Sequence, residues 1–138
     1  MRLFNRFRSN SVAPRTILIV DDEPNIVRTV GDRLKMSGYQ VITAGDGEEG
    51  VSRAVQYQPD LILLDVAMPV LDGLDALKRL RHMEETKSVP VIMLTARSSA
   101  DDVTRAVLTG AADYMVKPFD FVELIEKIEG ALSTGSRA

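Results

Sequence analysis

The chain predicts an α/β domain: a doubly wound parallel sheet of five strands with helices packed on both faces. Four short runs carry most of that prediction: Thr16-Ile17-Leu18-Ile19-Val20, Leu61-Ile62-Leu63-Leu64, Val91-Ile92-Met93-Leu94 and Tyr114-Met115-Val116. They are apolar at nearly every position. A strand with one wet face would alternate, so these read as strands covered on both sides. Between them lie segments of helical length with apolar residues three and four apart, so strand and helix alternate along the chain. The runs also share an ending, since they stop at Asp21-Asp22, Asp65, Thr95 and Lys117-Pro118. Open parallel sheets bind ligands beyond the carboxyl ends of their strands, which would gather three carboxylates, a hydroxyl and an ammonium on one rim.

Each element can be justified in turn. After the first strand, Pro24 suits the first turn of a helix, where its missing N–H costs nothing. Ile26, Val30 and Leu34 fall on one helical face, and Gly38 is placed to close the helix in the left-handed region. Gln40-Val41-Ile42-Thr43-Ala44 is the second strand, and Glu48 to Gln56 a short helix. The third strand ends at Asp65. The loop Ala67-Met68-Pro69-Val70-Leu71-Asp72-Gly73 then leads into a helix bearing Leu74, Leu77 and Leu80. Ser99 precedes a helix ending near Gly110, in which Val103, Val107, Leu108 and Ala106 make only a weak stripe. Asp120-Phe121-Val122-Glu123 has the pattern of a capping box, followed by a strong stripe of Phe121, Leu124, Ile125, Ile128 and Leu132. Met36, Met83, Met93 and Met115 are expected to fill gaps in the core. Right-handed crossovers narrow the strand order without reducing it to one.

This is read as a single domain over residues 15–132, with a basic arm at 1–14 and a C-terminal tail at 133–138. Hydrophobic residues at 45% and charged residues at 27% are ordinary for a globular protein. The absence of cysteine removes disulfides and thiolate metal sites, and suits a cytoplasmic location. No apolar stretch approaches the roughly 18 residues of a membrane span. Residues 1–15 hold Arg2, Arg6, Arg8 and Arg15 and no acid, while the rest holds 13 basic and 20 acidic side chains, a balance of −7. So acidic a body argues against nucleic-acid binding by this domain. Leu3, Phe4 and Phe7 among the arginines of the arm allow contact with an anionic membrane or an acidic groove, although a frayed leader is the plainer reading. His82, the only histidine, falls near the end of a polar helix and is expected in solvent.

Three carboxylates on one rim repel one another, which raises a pKa or calls for a cation. Mg2+ prefers hard oxygen ligands, typically one or two carboxylates with phosphate oxygens and water. A carboxylate can also attack phosphorus to give an aspartyl phosphate, with a lysine, a hydroxyl and a metal ion neutralising the transferring oxygens. Taken singly, each residue has a plainer reading. The Asp pair can start a helix, Asp65 can be a turn residue, Thr95 a strand-end hydroxyl, and Lys117 a solvated end. Their joint order is what gives them meaning.

In that order the chain resembles the receiver domains of two-component response regulators, of the single-domain chemotaxis type, over roughly Arg15 to Leu132. There an acidic pair ends the first strand, the phosphorylated Asp ends the third, Thr or Ser ends the fourth, and Lys-Pro follows the fifth. The resemblance implies the flavodoxin-like strand order 2-1-3-4-5. It implies that Asp65 accepts a phosphoryl group from a phosphohistidine, on a sensor histidine kinase or a histidine phosphotransfer protein. Asp21, Asp22, Asp65 and the backbone carbonyl of Ala67 would hold Mg2+, with Mn2+ an alternative. Thr95 would bond the phosphoryl oxygen and swing inward, Lys117 would pair with the phosphate, and Tyr114 would enter the space Thr95 leaves. The surface of the fourth helix, fifth strand and fifth helix would then change shape for a downstream protein partner. The domain would act as a monomer or a phosphorylation-dependent dimer. Lys117-Pro118 becomes a candidate cis peptide.

Two positions bear on phosphate lifetime. Ala67 offers no polar side chain to hold an attacking water, and Arg97 is expected to reach over the site as a cation. A phosphatase using an aspartyl intermediate, as in the haloacid dehalogenase superfamily, is a weaker reading, since the chain has Asp21-Asp22-Glu23 rather than Asp-x-Asp and little room for a cap domain. A binding module that signals without phosphate is the third reading, and intact acidic, Thr and Lys positions weigh against it. No output domain follows Leu132, so the expected effect runs through protein contacts, unless the chain is part of a longer regulator.

Overall fold

The protein is described here from a computed structural model covering residues 13–97 and 99–135; the basic arm falls almost wholly outside them. Five strands, β1 (Thr16–Val20), β2 (Gln40–Ala44), β3 (Leu61–Leu64), β4 (Val91–Thr95) and β5 (Asp113–Val116), alternate with five helices. These are α1 (Pro24–Met36), α2 (Gly47–Tyr57), α3 (Gly73–Arg81), α4 (Ala100–Thr109) and α5 (Phe121–Gly135). All strands are parallel and lie in the order β2-β1-β3-β4-β5, as the resemblance implied. The central pairing sets Val20 against Leu64, so the residues that follow, Asp21 and Asp65, emerge side by side.

The strand residues divide by parity, which is why the runs are apolar throughout. Leu18, Val20, Ile62, Leu64, Val91 and Met93 face α2, α3 and the Ala106 side of α4. Ile17, Ile19, Leu61, Leu63, Ile92 and Leu94 face the other way, toward Val30 and Leu34 of α1 and Leu124, Ile128 and Leu132 of α5. Neither face of the central strands β1, β3 and β4 meets water, so neither set can be polar.

The helix ends follow local chemistry. Asp46, Asp72 and Ser99 each accept the amide three residues on, at 2.8, 3.0 and 3.1 Å, capping α2, α3 and α4. Pro24 stands in the first turn of α1, and Gly38 takes φ +98° just beyond its end, as the sequence predicts. Asp120 does cap α5, but through the amide of Val122 at 3.1 Å, one residue earlier than a capping box requires. That helix also continues three residues past Leu132, into the stretch read as tail. Among the methionines, Met93 and Met115 are buried and Met83 packs against the core. Met36 does not: it is the last residue of α1 and is 84% exposed, because its side chain lies off the Ile26-Val30-Leu34 face.

Arg81, at the end of α3, does a job that sequence reading missed. Its guanidinium donates to the carbonyls of Val89 (2.8 Å), Thr86 (3.2 Å), Lys87 (3.3 Å) and Gly110 (3.2 Å). One side chain thereby ties the end of α4 to the connection between α3 and β4. No helix among the described residues is long and apolar enough to cross a membrane.

Gly73 sets how closely α3 approaches β3. A Cβ there would stand 1.9 Å from the carbonyl oxygen of Asp65, and its amide already donates to Val66 at 2.7 Å. Backbone, unlike a side-chain tip, cannot step aside. Gly73→Ala should therefore cost about 2 kcal/mol or more, read as a lower denaturation midpoint; an unchanged midpoint would show that the loop yields freely.

Candidate functional site

The carboxyl ends of β1, β3, β4 and β5 bring the expected residues together. Asp21 is buried; its amide donates to Ala44 at 3.1 Å, and its Oδ1 accepts the Glu23 amide at 2.9 Å. Asp65 is also buried, with its amide on the Val20 carbonyl at 3.0 Å and its Oδ1 accepting the Ala67 amide at 3.3 Å. These backbone ties aim both side chains outward from adjacent strands. Asp22 is exposed beside them, and carboxylate oxygens of Asp21, Asp22 and Asp65 all lie within 4.8 Å of one another.

Lys117 enters this cluster from the end of β5, followed by a cis bond to Pro118. Its Nζ lies 2.6 Å from Asp21, 2.8 Å from Glu23 and 3.3 Å from Asp65. Glu23 was not singled out in the sequence; its only signal is that it continues the acidic run. Burial pulls the Lys117 ammonium down, but hydrogen bonds to Asp21 and Glu23 and the nearby charges outweigh it, so the group is held firmly protonated. Asp21 moves the other way from an ordinary paired acid: burial raises it, and the lysine hydrogen bond only partly offsets this. The two partners differ because burial, helped by the charge of Asp65, outweighs the lysine at Asp21, whereas the neighbouring carboxylates together outweigh burial at Lys117.

Thr95 is fully buried, and its carbonyl accepts the Lys117 amide at 2.8 Å. Its Oγ1 accepts the Arg97 amide at 3.2 Å. One expectation needs correction here. Arg97 does not reach over the acid cluster. Its guanidinium turns to Asp102 in the first turn of α4, at 2.7 and 3.1 Å, where a buried carboxylate offers a two-pronged partner closer at hand. Tyr114 is partly buried, packs against the core, and its hydroxyl donates to the Arg97 carbonyl. Asp102 was missed because Ser99 and an acid three residues later read simply as a helix cap. His82 is in solvent, as expected.

A hard donor set of three carboxylates from two strands, with an ammonium in its midst, fits a divalent cation and a phosphoryl group. The model of the response regulator receiver domain matches residues 17–129. The chain belongs to the response regulator receiver family. RpaA of Synechocystis, a DNA-binding dual master transcriptional regulator, is 44% identical over 121 residues, covering 88% of this chain and 50% of its own. The chain spans about half the length of the curated relatives it matches. Among solved structures, chemotaxis protein CheY4 of Vibrio cholerae superposes with TM-score 0.81 at 34% identity, covering 86% of this chain and 98% of its own. A CheX-CheY complex from Borrelia burgdorferi containing BeF3 and Mg2+ gives TM-score 0.81 at 30% identity, covering 86% and 89%. The receiver is thus a component of two-component signalling, and its acid cluster fits the phosphoacceptor site of that family.

The Arg97–Asp102 pair in this receiver gives a pH dependence of definite sign. Hydrogen bonds from Arg97, then Ser99, hold the Asp102 carboxyl below its usual range. A group depressed by folding stabilises the fold above its unfolded value, near pH 4, and that contribution fades as pH falls through the folded value. Urea midpoints of the parent and Asp102→Asn should therefore differ at neutral pH and converge below about pH 4. A difference that persists undiminished in acid would assign the effect to packing.

Proposed function

We propose that Asp65 accepts a phosphoryl group from a phosphohistidine on a sensor histidine kinase or histidine phosphotransfer protein, and that the change is read by a protein partner. The observation that carries this reading is the meeting of Asp21, Asp22 and Asp65 within 4.8 Å, with Lys117 among them. Asp21, Asp22, Asp65 and the Ala67 carbonyl would hold Mg2+, or Mn2+ in its place. A bound divalent ion supplies positive charge to the phosphoryl oxygens and lets the carboxylates share one site.

The receiver's own residues do the rest. A carboxylate oxygen of Asp65 attacks phosphorus, the bond to the imidazole nitrogen breaks, and an acyl phosphate remains on Asp65. Lys117, 3.3 Å from Asp65, balances the new charge on one oxygen. Thr95 donates its hydroxyl proton to another. Hydrolysis by water restores the carboxylate, so the receiver is a switch with limited self-catalysis and no external substrate to turn over. The proposed output surface comprises α4, β5 and α5, where Val107, Leu108, Val116 and Val122 are exposed. Phosphate shifts a two-state population there, with dimerisation as one outcome.

Acetyl phosphate with Mg2+ should label the parent, and chelation should abolish labelling. Asp65→Asn should incorporate none, measured by intact mass or a phosphate-binding gel; retained label on that variant would reject the acceptor. Ala67, two residues after Asp65, presents no polar group to an attacking water, so phosphate loss should be slow. Ala67→Asn should shorten the lifetime several-fold in a decay measurement, since positioning a water contributes on the order of ten-fold or more; a longer lifetime would contradict this.

A further inference from the structure

Three parts of the rim converge on Arg97. Its amide donates to Thr95 Oγ1 at 3.2 Å, and its carbonyl accepts the Tyr114 hydroxyl. Its guanidinium grips Asp102 through bonds of 2.7 and 3.1 Å. The first two contacts are made by backbone, so the path of the chain at Arg97 decides what Thr95 and Tyr114 can do.

A hydroxyl has one proton to give and two lone pairs to receive. Because Thr95 Oγ1 receives the Arg97 amide, its proton stays available for an oxygen arriving at Asp65. Were the loop displaced, the buried Oγ1 would lose the amide that fixes the direction of its lone pairs, and with it the direction in which its proton points. Tyr114 would lose its seat in the same movement. Asp102 is well placed to prevent this. It stands in the first turn of α4 with a side chain only 8% exposed, and its own amide is tied to Ser99 Oγ at 3.1 Å. It therefore offers Arg97 a fixed anchor, and the bidentate geometry defines direction as well as distance.

We propose that Asp102 is a positioning residue for the switch: by holding Arg97 it keeps Thr95 a ready donor and Tyr114 seated before any phosphoryl group arrives. Asp102 touches no reacting atom, and the effect is one of preorganisation. The proposal rests on reading Asp65 as the acceptor, and the test separates the two.

Beryllium trifluoride stands in for a phosphoryl group on a carboxylate. Calorimetry of the whole chain would give its affinity in Mg2+, and the affinity for Mg2+ alone, for the parent, Asp102→Asn, Asp102→Glu and Arg97→Gln. Asp102→Asn should bind beryllium trifluoride about five-fold more weakly or worse, with Mg2+ affinity unchanged, and Asp102→Glu should recover most of the loss. The Arg97→Gln, Asp102→Asn double variant should be no weaker than the worse single one, as for two residues acting as a unit. Parent affinity in Asp102→Asn would overturn the proposal while leaving the acceptor reading intact. Equal losses of Mg2+ and beryllium trifluoride, tracking a lower thermal midpoint, would also overturn it, by reducing Asp102 to support of the fold. If the parent takes up no beryllium trifluoride in Mg2+, the acceptor reading falls and this one with it.

Discussion

The structure turns on one ammonium placed among acids. Asp21, Asp22 and Asp65 are brought together by the sheet, and two of them are buried beside each other at the ends of neighbouring strands. Left alone, such a cluster is held apart by its own charge. Lys117 relieves that repulsion from the far side of β4, touching three carboxylates at once. The arrangement needs the strand order that it has. Parallel pairing of β1 with β3 puts residues 44 apart in sequence next to each other, and Lys117, the residue that follows β5, reaches them with its long side chain past the end of β4. What the site can accept follows from this: more positive charge shared among the acids, or negative charge brought to the lysine.

Much of this was legible in the residues, for an identifiable reason. A sheet covered on both faces leaves nearly unbroken apolar runs, and the limits of β1 and β3 fall where two of those runs begin and end, while β2 matches the mixed segment Gln40–Ala44. The acidic pair, Asp65, Thr95 and Lys117 were visible because strand ends are marked by the first polar residue after each run. Met36 went wrong through its chemistry: an apolar side chain at a helix end need not face the core, and helical position decides. Arg97 was read alone and Asp102 was not singled out, and nothing along the chain announces that a cation two residues beyond a strand will prefer an acid in the next helix to an acid cluster across the loop. Arg81 was invisible for a deeper reason. Its partners are backbone carbonyls, which every residue has, so no side-chain pattern could point to them.

The helices are not held equally. α5 buries Leu124, Ile128 and Leu132 along its length, whereas α4 leaves Val107 and Leu108 in solvent and buries only Asp102 and Ala106. Packing fixes the first, and polar bonds near its two ends fix much of the second. A helix that depends little on apolar burial can be repositioned at small cost, because hydrogen bonds and ion pairs can be exchanged for others while a filled core cannot be half emptied. This asymmetry suits a domain that serves as a switch in signalling.

The four carbonyls gathered by Arg81 have a geometric consequence for that helix. They fasten Gly110, at its carboxyl end, to the body of the protein, whereas its amino end is restrained by a side chain that is 42% exposed. A rod so fastened would pivot about Gly110 if the Arg97–Asp102 pair at its other end opened. At 10 residues it is about 15 Å long, so a tilt of roughly 10° would carry its amino tip about 3 Å. The tip is the end nearest the acids, so a small displacement there would become a change of angle along the whole outer surface.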